Sequence, residues 1–319
     1  PFAVTAWDDQ TIVTEAWAES WRDDPAIAGI EFRNLNDPAA RLQALQSGQI
    51  DIAQSVNPDQ LGALQDAGFG IFSGTRGSVM SLALIANEGG PLANPDVRRA
   101  MNLAVDTAAI TELLLAGLAD QGVWPSNGVN GYDPNREPYG FDPDAARALL
   151  AGAGFGDGFS MTAEVTVGAF PADADIYEAM AGYLADVGID VDLQTIAFGT
   201  DWLPKFLGTD GADWVGEAFG LSWNAAPLMD AIRPFNFYSC GWLNEFFCDE
   251  DAEALIGQIN GEFDTAARNA LLTQLLQMTQ DNPPAIWLVE IVELWAHAGN
   301  ISGFSVDNLN IVFEGVTVG

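Results

Sequence analysis

A chain of 319 residues and 33.9 kDa, 49% of them hydrophobic, is long enough for two domains with cores of their own and too apolar to be disordered. Its formal charge of −34, from 45 acidic against 11 basic residues, excludes binding to nucleic acid or an anionic membrane surface, both of which it would repel. The charge reads either as a solvated surface suited to a salty medium or as an attractor of cationic ligands.

No window approaches twenty uninterrupted apolar residues, so a membrane-spanning helix is not expected. The opening stretch "PFAVTAWDDQ" has neither a basic start nor a long apolar core and does not read as a signal peptide; it reads as the start of a processed or partial chain. The single histidine, His297, sits in the apolar run "AIWLVEIVELWAHAG", where a hydrogen-bonded structural imidazole is the default. Two cysteines and one distant histidine do not make a zinc site. Both cysteines lie in "YSCGWLNEFFCDE", spaced C-x7-C rather than the C-x-x-C of a redox pair.

In chain order, "AVTAWDD" and "TIVTEAW" read as strands around a polar turn, and "GIEFRNL" as a third by its alternation. "DPAARLQALQSG" predicts a helix, with Asp37 as cap, Pro38 at the first helical position and Gly48 closing it. The strand "IDIA" follows, and "NPDQLGALQDAG" repeats the Asn-Pro helix opening. This rhythm indicates an α/β layer. "SVMSLALIAN" (78–87) predicts a longer apolar strand.

Asn94 and Pro95 then open a helix with Val97, Ala100, Met101 and Ala104 on one face. Asp106 caps another, with Ile110, Leu113 and Leu114 expected to be buried and Gly117 at its end. Arg98 and Arg99 fall off the apolar stripe and are expected to pair with nearby carboxylates. Residues 118–140 are rich in Gly, Pro and Asn, and a loop that long tends to be functional. "FDPDAARALLAGAGFGDGF" predicts a short helix. "FSMTAEVTVG", "ADADIYEAMAGYLADVG" and "IDVDLQTIA" predict a β-α-β unit. "WLPKFLG" is a brief helix, and "ADWVGEAFGLSW" a strand ending in Trp223. Two helices, around 249–259 and 264–281, lead through "DNPP" into the strand "AIWLVEIVELWAHA".

Several of these stretches resemble one family: the solute-binding proteins of ABC importers for dipeptides, oligopeptides, nickel and some oligosaccharides (family 5). "DPAARLQALQSGQIDIA" is similar to its run of Asp-Pro, Arg, a short helix and Ser-Gly-Glu-Ile-Asp-Ile. "LANPDVRRAMNLAVDTAAI" resembles its Pro-x-Val-Arg-x-Ala signature, with Thr107 where the family usually has Arg. "YGFDPDAARALLAGAGFGDGF" and "DEDAEALIGQINGEFDTAARNALLTQLLQMTQDNPPAIWL" match later blocks in the same order. The family usually carries Gly-Thr-Gly-Pro-Tyr about a third of the way along. This chain opens at "PF", so the resemblance implies that an upstream part of domain I is absent.

The resemblance implies an α/β, two-lobed periplasmic-binding-protein type II fold with mixed sheets and a hinge. Domain I would comprise residues 1–80 plus 298–319 and domain II residues 81–297, with crossovers near 80–88 and 286–298. It implies the substrate-binding component of an ABC importer, periplasmic or extracellular and possessing a membrane anchor only through the absent N-terminus. Such a chain performs no chemistry and needs no cofactor or metal. It would capture a peptide-like or neutral polar solute in an inter-lobe cleft as a monomer and deliver it to the permease subunits, with no role for nucleic acid. An oligosaccharide-binding member of the same family is the alternative, and a secreted glycoside hydrolase with a carboxylate dyad is the alternative of another class.

In peptide-binding relatives a Trp-x-x-Asp run supplies a carboxylate for the peptide's α-amine. The matching stretch here is "LSWNAAPLMD", where Trp223 is kept and Ala226 takes the Asp position. Trp223 and Asn224 are therefore candidate ligand-binding residues, joined by Trp124 in the long loop and by Tyr238 and Trp242 around the cysteines. Trp124 and Trp242 read equally well as core, whereas the family position favours Trp223 as a wall residue. Cys240 and Cys248 are expected to form a disulfide, being an even pair in an exported family with no metal partners and a short loop to close.

Overall fold

Alternating strands and capped helices assemble into two compact units in the computed structural model, which describes residues 1–307 and 310–319. The first unit comprises residues 1–74, 168–171 and 292–319. Its opening strands, β1 (Phe2–Trp7), β2 (Thr11–Ala16) and β3 (Gly29–Arg33), form an antiparallel meander in which Ile12 lies opposite both Trp7 and Phe32. Next comes α1 (Pro38–Gln46), whose head is closed by the Ala40 amide donating to the Asp37 carboxylate at 2.7 Å. The strand β4 (Ile52–Gln54), the short helix α2 (Leu61–Asp66) and the start of β5 (Gly70–Leu84) follow.

The second unit comprises residues 75–167 and 172–291. It holds the helices α3 (Pro95–Ala104), α4 (Thr107–Leu114) and α5 (Pro143–Gly152), then β6 (Phe159–Val165), α6 (Asp173–Asp186) and β7 (Ile189–Thr195). β6 and β7 pair in parallel from Phe159 opposite Ile189, which completes the β-α-β unit read from the sequence. Gly158 permits their close start, since a Cβ there would lie 2.0 Å from the Gly188 carbonyl oxygen. The chain goes on through α7 (Leu203–Leu207), β8 (Ala218–Asn224), α8 (Glu250–Gly261) and α9 (Thr265–Asp281) into β9 (Ala285–His297). Two small pairs end it in the first unit: β10 (Ile301–Ser302) with β13 (Thr317–Val318), and β11 (Ser305–Asp307) with β12 (Asn310–Val312).

The main sheet has the strand order β4-β9-β5-β8-β6-β7. β5 and β9 are the strands that continue from one unit into the other. β9 is buried at twelve of its thirteen positions, as a strand covered on both faces must be. Among the described residues, no helix is long and apolar enough to cross a membrane.

The structure departs from three sequence expectations. β5 begins at Gly70 rather than at 78, because pairing in the sheet recruits a Gly-containing polar stretch that has no alternation of its own. Leu113 is 78% exposed instead of buried. The buried face of α4 runs through Thr107, Ile110 and Thr111, and Leu113 falls off it while Leu115 turns in.

Arg98 is 3% exposed and forms no ion pair with a carboxylate among the described residues. Its Nε donates to the Pro283 carbonyl at 2.8 Å, and its terminal nitrogens donate to the Leu92 carbonyl and the Asn282 side chain. The guanidinium thus satisfies carbonyls around the exit of α9. Burial lowers its pKa to about 10, with Asp249 acting in the opposite direction. Arg99 does pair with a carboxylate, that of Asp96.

Candidate functional site

β8 pairs antiparallel with β5, so that Trp223 lies opposite Val79 and Asn224 opposite Ser78. This register turns the Trp223 ring inward, where it is 0% exposed. Its ring centroid is 4.2 Å from Tyr238, 4.7 Å from Trp287, 5.1 Å from Phe235 and 5.6 Å from Trp124. Trp124, Trp223 and Tyr238 therefore share one aromatic cluster in the core of the second unit. The Trp124 indole N–H donates to the Ala231 carbonyl at 3.1 Å, which pins the long loop to the segment after β8. Tyr238 is 3% exposed, and burial pushes its phenol well above the ordinary value, opposed only in part by the neighbouring Trp223 and Ser81.

Trp242 is half-buried in an adjoining cluster, 5.4 Å from Phe206 and 5.0 Å from Phe237, and its indole N–H donates to the Phe206 carbonyl. It stands in the loop closed by the disulfide between Cys240 and Cys248, which is formed as expected. The Cys240 amide donates to the Glu253 carboxylate at 3.1 Å, so the stapled loop is also held to α8.

Asn224, at the end of β8, is half-buried. Its Oδ1 accepts from the Ala226 amide at 2.8 Å, and its carbonyl accepts from Arg233 at 2.6 Å. A few residues on, the Asp230 carboxylate accepts from both terminal nitrogens of Arg268, from the Ile232 amide and from the Asn130 side chain. Burial alone would raise the Asp230 pKa, but these donors outweigh it and hold the carboxyl below its ordinary value. The Asn130 amide also donates to the Met229 carbonyl, and the Ala231 amide to the Asn130 carbonyl. The long loop and the segment 225–232 are thereby stitched into one surface. Reading the sequence could not supply Arg268 as the partner of Asp230, because the two are 38 positions apart.

The first unit holds a larger cavity of about 900 Å³, lined by residues of β3, β4 and their flanks with Trp295 and Phe313. Arg41 at its edge donates to the Leu35 and Ser55 carbonyls. Among the described residues, no cluster of three His, Cys, Asp or Glu could hold a metal. His297 lies with Nδ1 3.0 Å from the Ala298 carbonyl, as a structural imidazole would.

A two-unit α/β chain with this sheet order and these motifs matches a family of binding proteins. The chain belongs to the bacterial extracellular solute-binding proteins, family 5, whose middle region matches residues 1–244. It is 25% identical to the glutathione-binding protein GsiB of Shigella flexneri, over 95% of this chain and 61% of that protein. It is 23% identical to di/tripeptide-binding protein 2 of Pseudomonas aeruginosa, over 97% of this chain and 59% of the relative. The chain thus spans about three fifths of the length of the curated relatives it matches.

In three dimensions it superposes on DppA of Helicobacter pylori in complex with the peptide STSA, with a TM-score of 0.84 and 21% identity, covering all of this chain and 62% of the other. NikA of Staphylococcus aureus in complex with Ni(L-His)2 gives a TM-score of 0.86 at 16% identity, covering 100% and 68%. These likenesses establish the two-lobed periplasmic-binding-protein fold. The family and its relatives are solute-binding proteins rather than enzymes, which removes the hydrolase alternative.

Proposed function

We propose that this chain is the solute-capturing part of an ABC importer, working outside the cytoplasmic membrane and delivering a small peptide-like or neutral polar solute to permease subunits. The observation that carries the reading is the family match across residues 1–244. Relatives named for glutathione and for di- and tripeptides support a peptide-like solute.

Within the second unit, Asn224 and Trp242 are half-buried and within a solute's reach, while Trp223, Trp124 and Tyr238 are buried in the core. Asn224 uses its Oδ1 on the Ala226 amide, which leaves its NH2 to donate to a solute carbonyl or hydroxyl. Ala226 in place of the carboxylate of peptide-binding relatives favours a neutral group there over an ammonium.

The test is isothermal titration of the protein with panels of di- and tripeptides, glutathione and oligosaccharides. A peptide-like compound is expected to bind, and Asn224→Ala to weaken it about five- to tenfold, the usual worth of one hydrogen bond. Binding confined to oligosaccharides would replace the solute class. Binding indifferent to Asn224→Ala would move the site elsewhere.

A further inference from the structure

A second constellation in the second unit belongs to none of the residues above. Glu290 stands in the middle of β9, in the apolar run "AIWLVEIVEL", and is 3% exposed. The start of the long loop runs alongside it as an extra piece of strand. The Glu290 amide donates to the Asp120 carbonyl at 2.8 Å, the Gly122 amide donates to the Leu288 carbonyl at 2.9 Å, and Gln121 bridges to Val289. Only glycine fits at 122, where a Cβ would lie 2.7 Å from the Leu288 nitrogen. This close approach brings Asp120, Ser126 and Arg136 to the wall of one small cavity together with Glu290, about 180 Å³ in volume.

The cavity wall contains polar atoms that the chain does not satisfy. Glu290 Oε1 and Ser126 Oγ are buried without a hydrogen-bond partner, although the Ser126 and Thr75 hydroxyls lie close enough to the carboxyl to favour its charge. Arg136 spends one terminal nitrogen on the Leu276 carbonyl at 2.7 Å, and its Nε is likewise buried without a partner. Buried polar atoms are normally satisfied, and a buried carboxyl oxygen short of a donor is a costly exception. The acceptors missing a donor are oxygens of a carboxylate and a hydroxyl, with the Asp120 carboxylate nearby. Two carboxyl groups and a hydroxyl on one cavity wall suit an ammonium with its three N–H donors. Two carboxylates and one hydroxyl fall short of the six or more oxygens of a calcium site, and the described residues hold no metal-binding cluster.

We propose that this cavity binds the primary ammonium group of a small molecule, received by Glu290, Ser126 and Asp120. The site lies wholly within the second unit and does not depend on the importer reading. Arg136, on the same wall, adds a donor for a carboxylate, so a small amino acid is held more tightly than a simple amine.

The experiment is isothermal titration with glycine, methylammonium, acetamide and tetramethylammonium, at about pH 6 and in two buffers of different ionisation enthalpy. Burial, aided by the Asp120 charge, raises the Glu290 pKa to about 7, so an arriving ammonium displaces about one proton at that pH. Glycine is expected to bind with this proton release and methylammonium more weakly with the same release, while acetamide and tetramethylammonium do not bind. Glu290→Gln should abolish the proton release and weaken glycine at least about tenfold, and Ser126→Ala should weaken it while keeping the release. Methylammonium binding as tightly as glycine would leave the ammonium site standing and assign it to simple amines. The proposal is overturned by failure of both ammonium probes to bind, by equal binding of acetamide, or by binding that Glu290→Gln leaves unchanged.

Discussion

Arg268 holds Asp230 through both terminal nitrogens, at 2.8 and 3.2 Å, and so ties α9 to the segment that follows β8. Both side chains are about one-fifth exposed, so solvent screens the pair only in part. Asp230→Asn should cost about 1–3 kcal/mol near neutral pH, measured by urea unfolding. The Asp230 pKa is lower folded than unfolded, so its contribution is complete above the ordinary value of 3.8 and is lost as pH falls through the folded value. Wild type and variant should therefore converge in acid. A gap that widened below pH 3.8 would contradict the assignment of charge to this carboxyl.

Trp223 has no solvent-facing surface, and its removal empties the centre of an aromatic cluster. Trp223→Ala should cost about 3–5 kcal/mol in unfolding free energy, and Trp223→Phe distinctly less. A loss below about 1 kcal/mol for the alanine variant would place the ring outside the core.

The bridge between Cys240 and Cys248 closes a loop with a sequence separation of 8. By chain entropy, such a loop contributes about 2.5 kcal/mol. Replacing both cysteines by serine should lower the unfolding free energy by about that amount and loosen Trp242, readable as a change in its fluorescence anisotropy. Thiol titration of the denatured, unreduced wild type should find no free thiol.

Glu290 makes stability fall as pH rises, the reverse of Asp230. Its folded pKa of about 7 exceeds the ordinary 4.5, so between these values the folded state holds the extra proton and loses stability on each step upward. Asp120 faces it with a like charge, Arg136 lies on the same cavity wall, and the Ser126 and Thr75 hydroxyls oppose the shift. The effect amounts to up to about 3 kcal/mol across that window. Glu290→Gln should flatten this part of the profile, measured by denaturant titrations at intervals between pH 4.5 and 8. An unchanged slope would show that another group is responsible.

Features set by a few neighbouring residues were legible in the sequence. Asp37, Asn94 and Asp106 all cap helices through contacts two or three residues along, and the bonds are formed. The β-α-β unit was legible too, because its strands carry their own alternation. Leu113 was misplaced because only the packing of α4 decides which of several leucines turns in. Arg98 was misread because its partners are the Leu92 and Pro283 carbonyls and the Asn282 side chain, and backbone carbonyls leave no trace in residue type. The sequence also could not show that the Trp223 and Tyr238 rings meet, tilted, beneath the surface. Glu290 did leave a signal: a strand that is apolar except for Glu290, Glu293 and the terminal His297 has to accommodate each carboxylate with something.

β9 is a central strand that lies far downstream of both its neighbours. Ile52 of β4 waits for His297, and β5 borders β9 on its other side. While the ribosome is still short of residue 285, neither of those strands has that neighbour, and both expose open backbone edges. Closing the sheet between β4 and β5 therefore waits for residues far downstream of both. A truncation ahead of residue 285 would remove the neighbour those two strands share, and would cost far more than its length suggests.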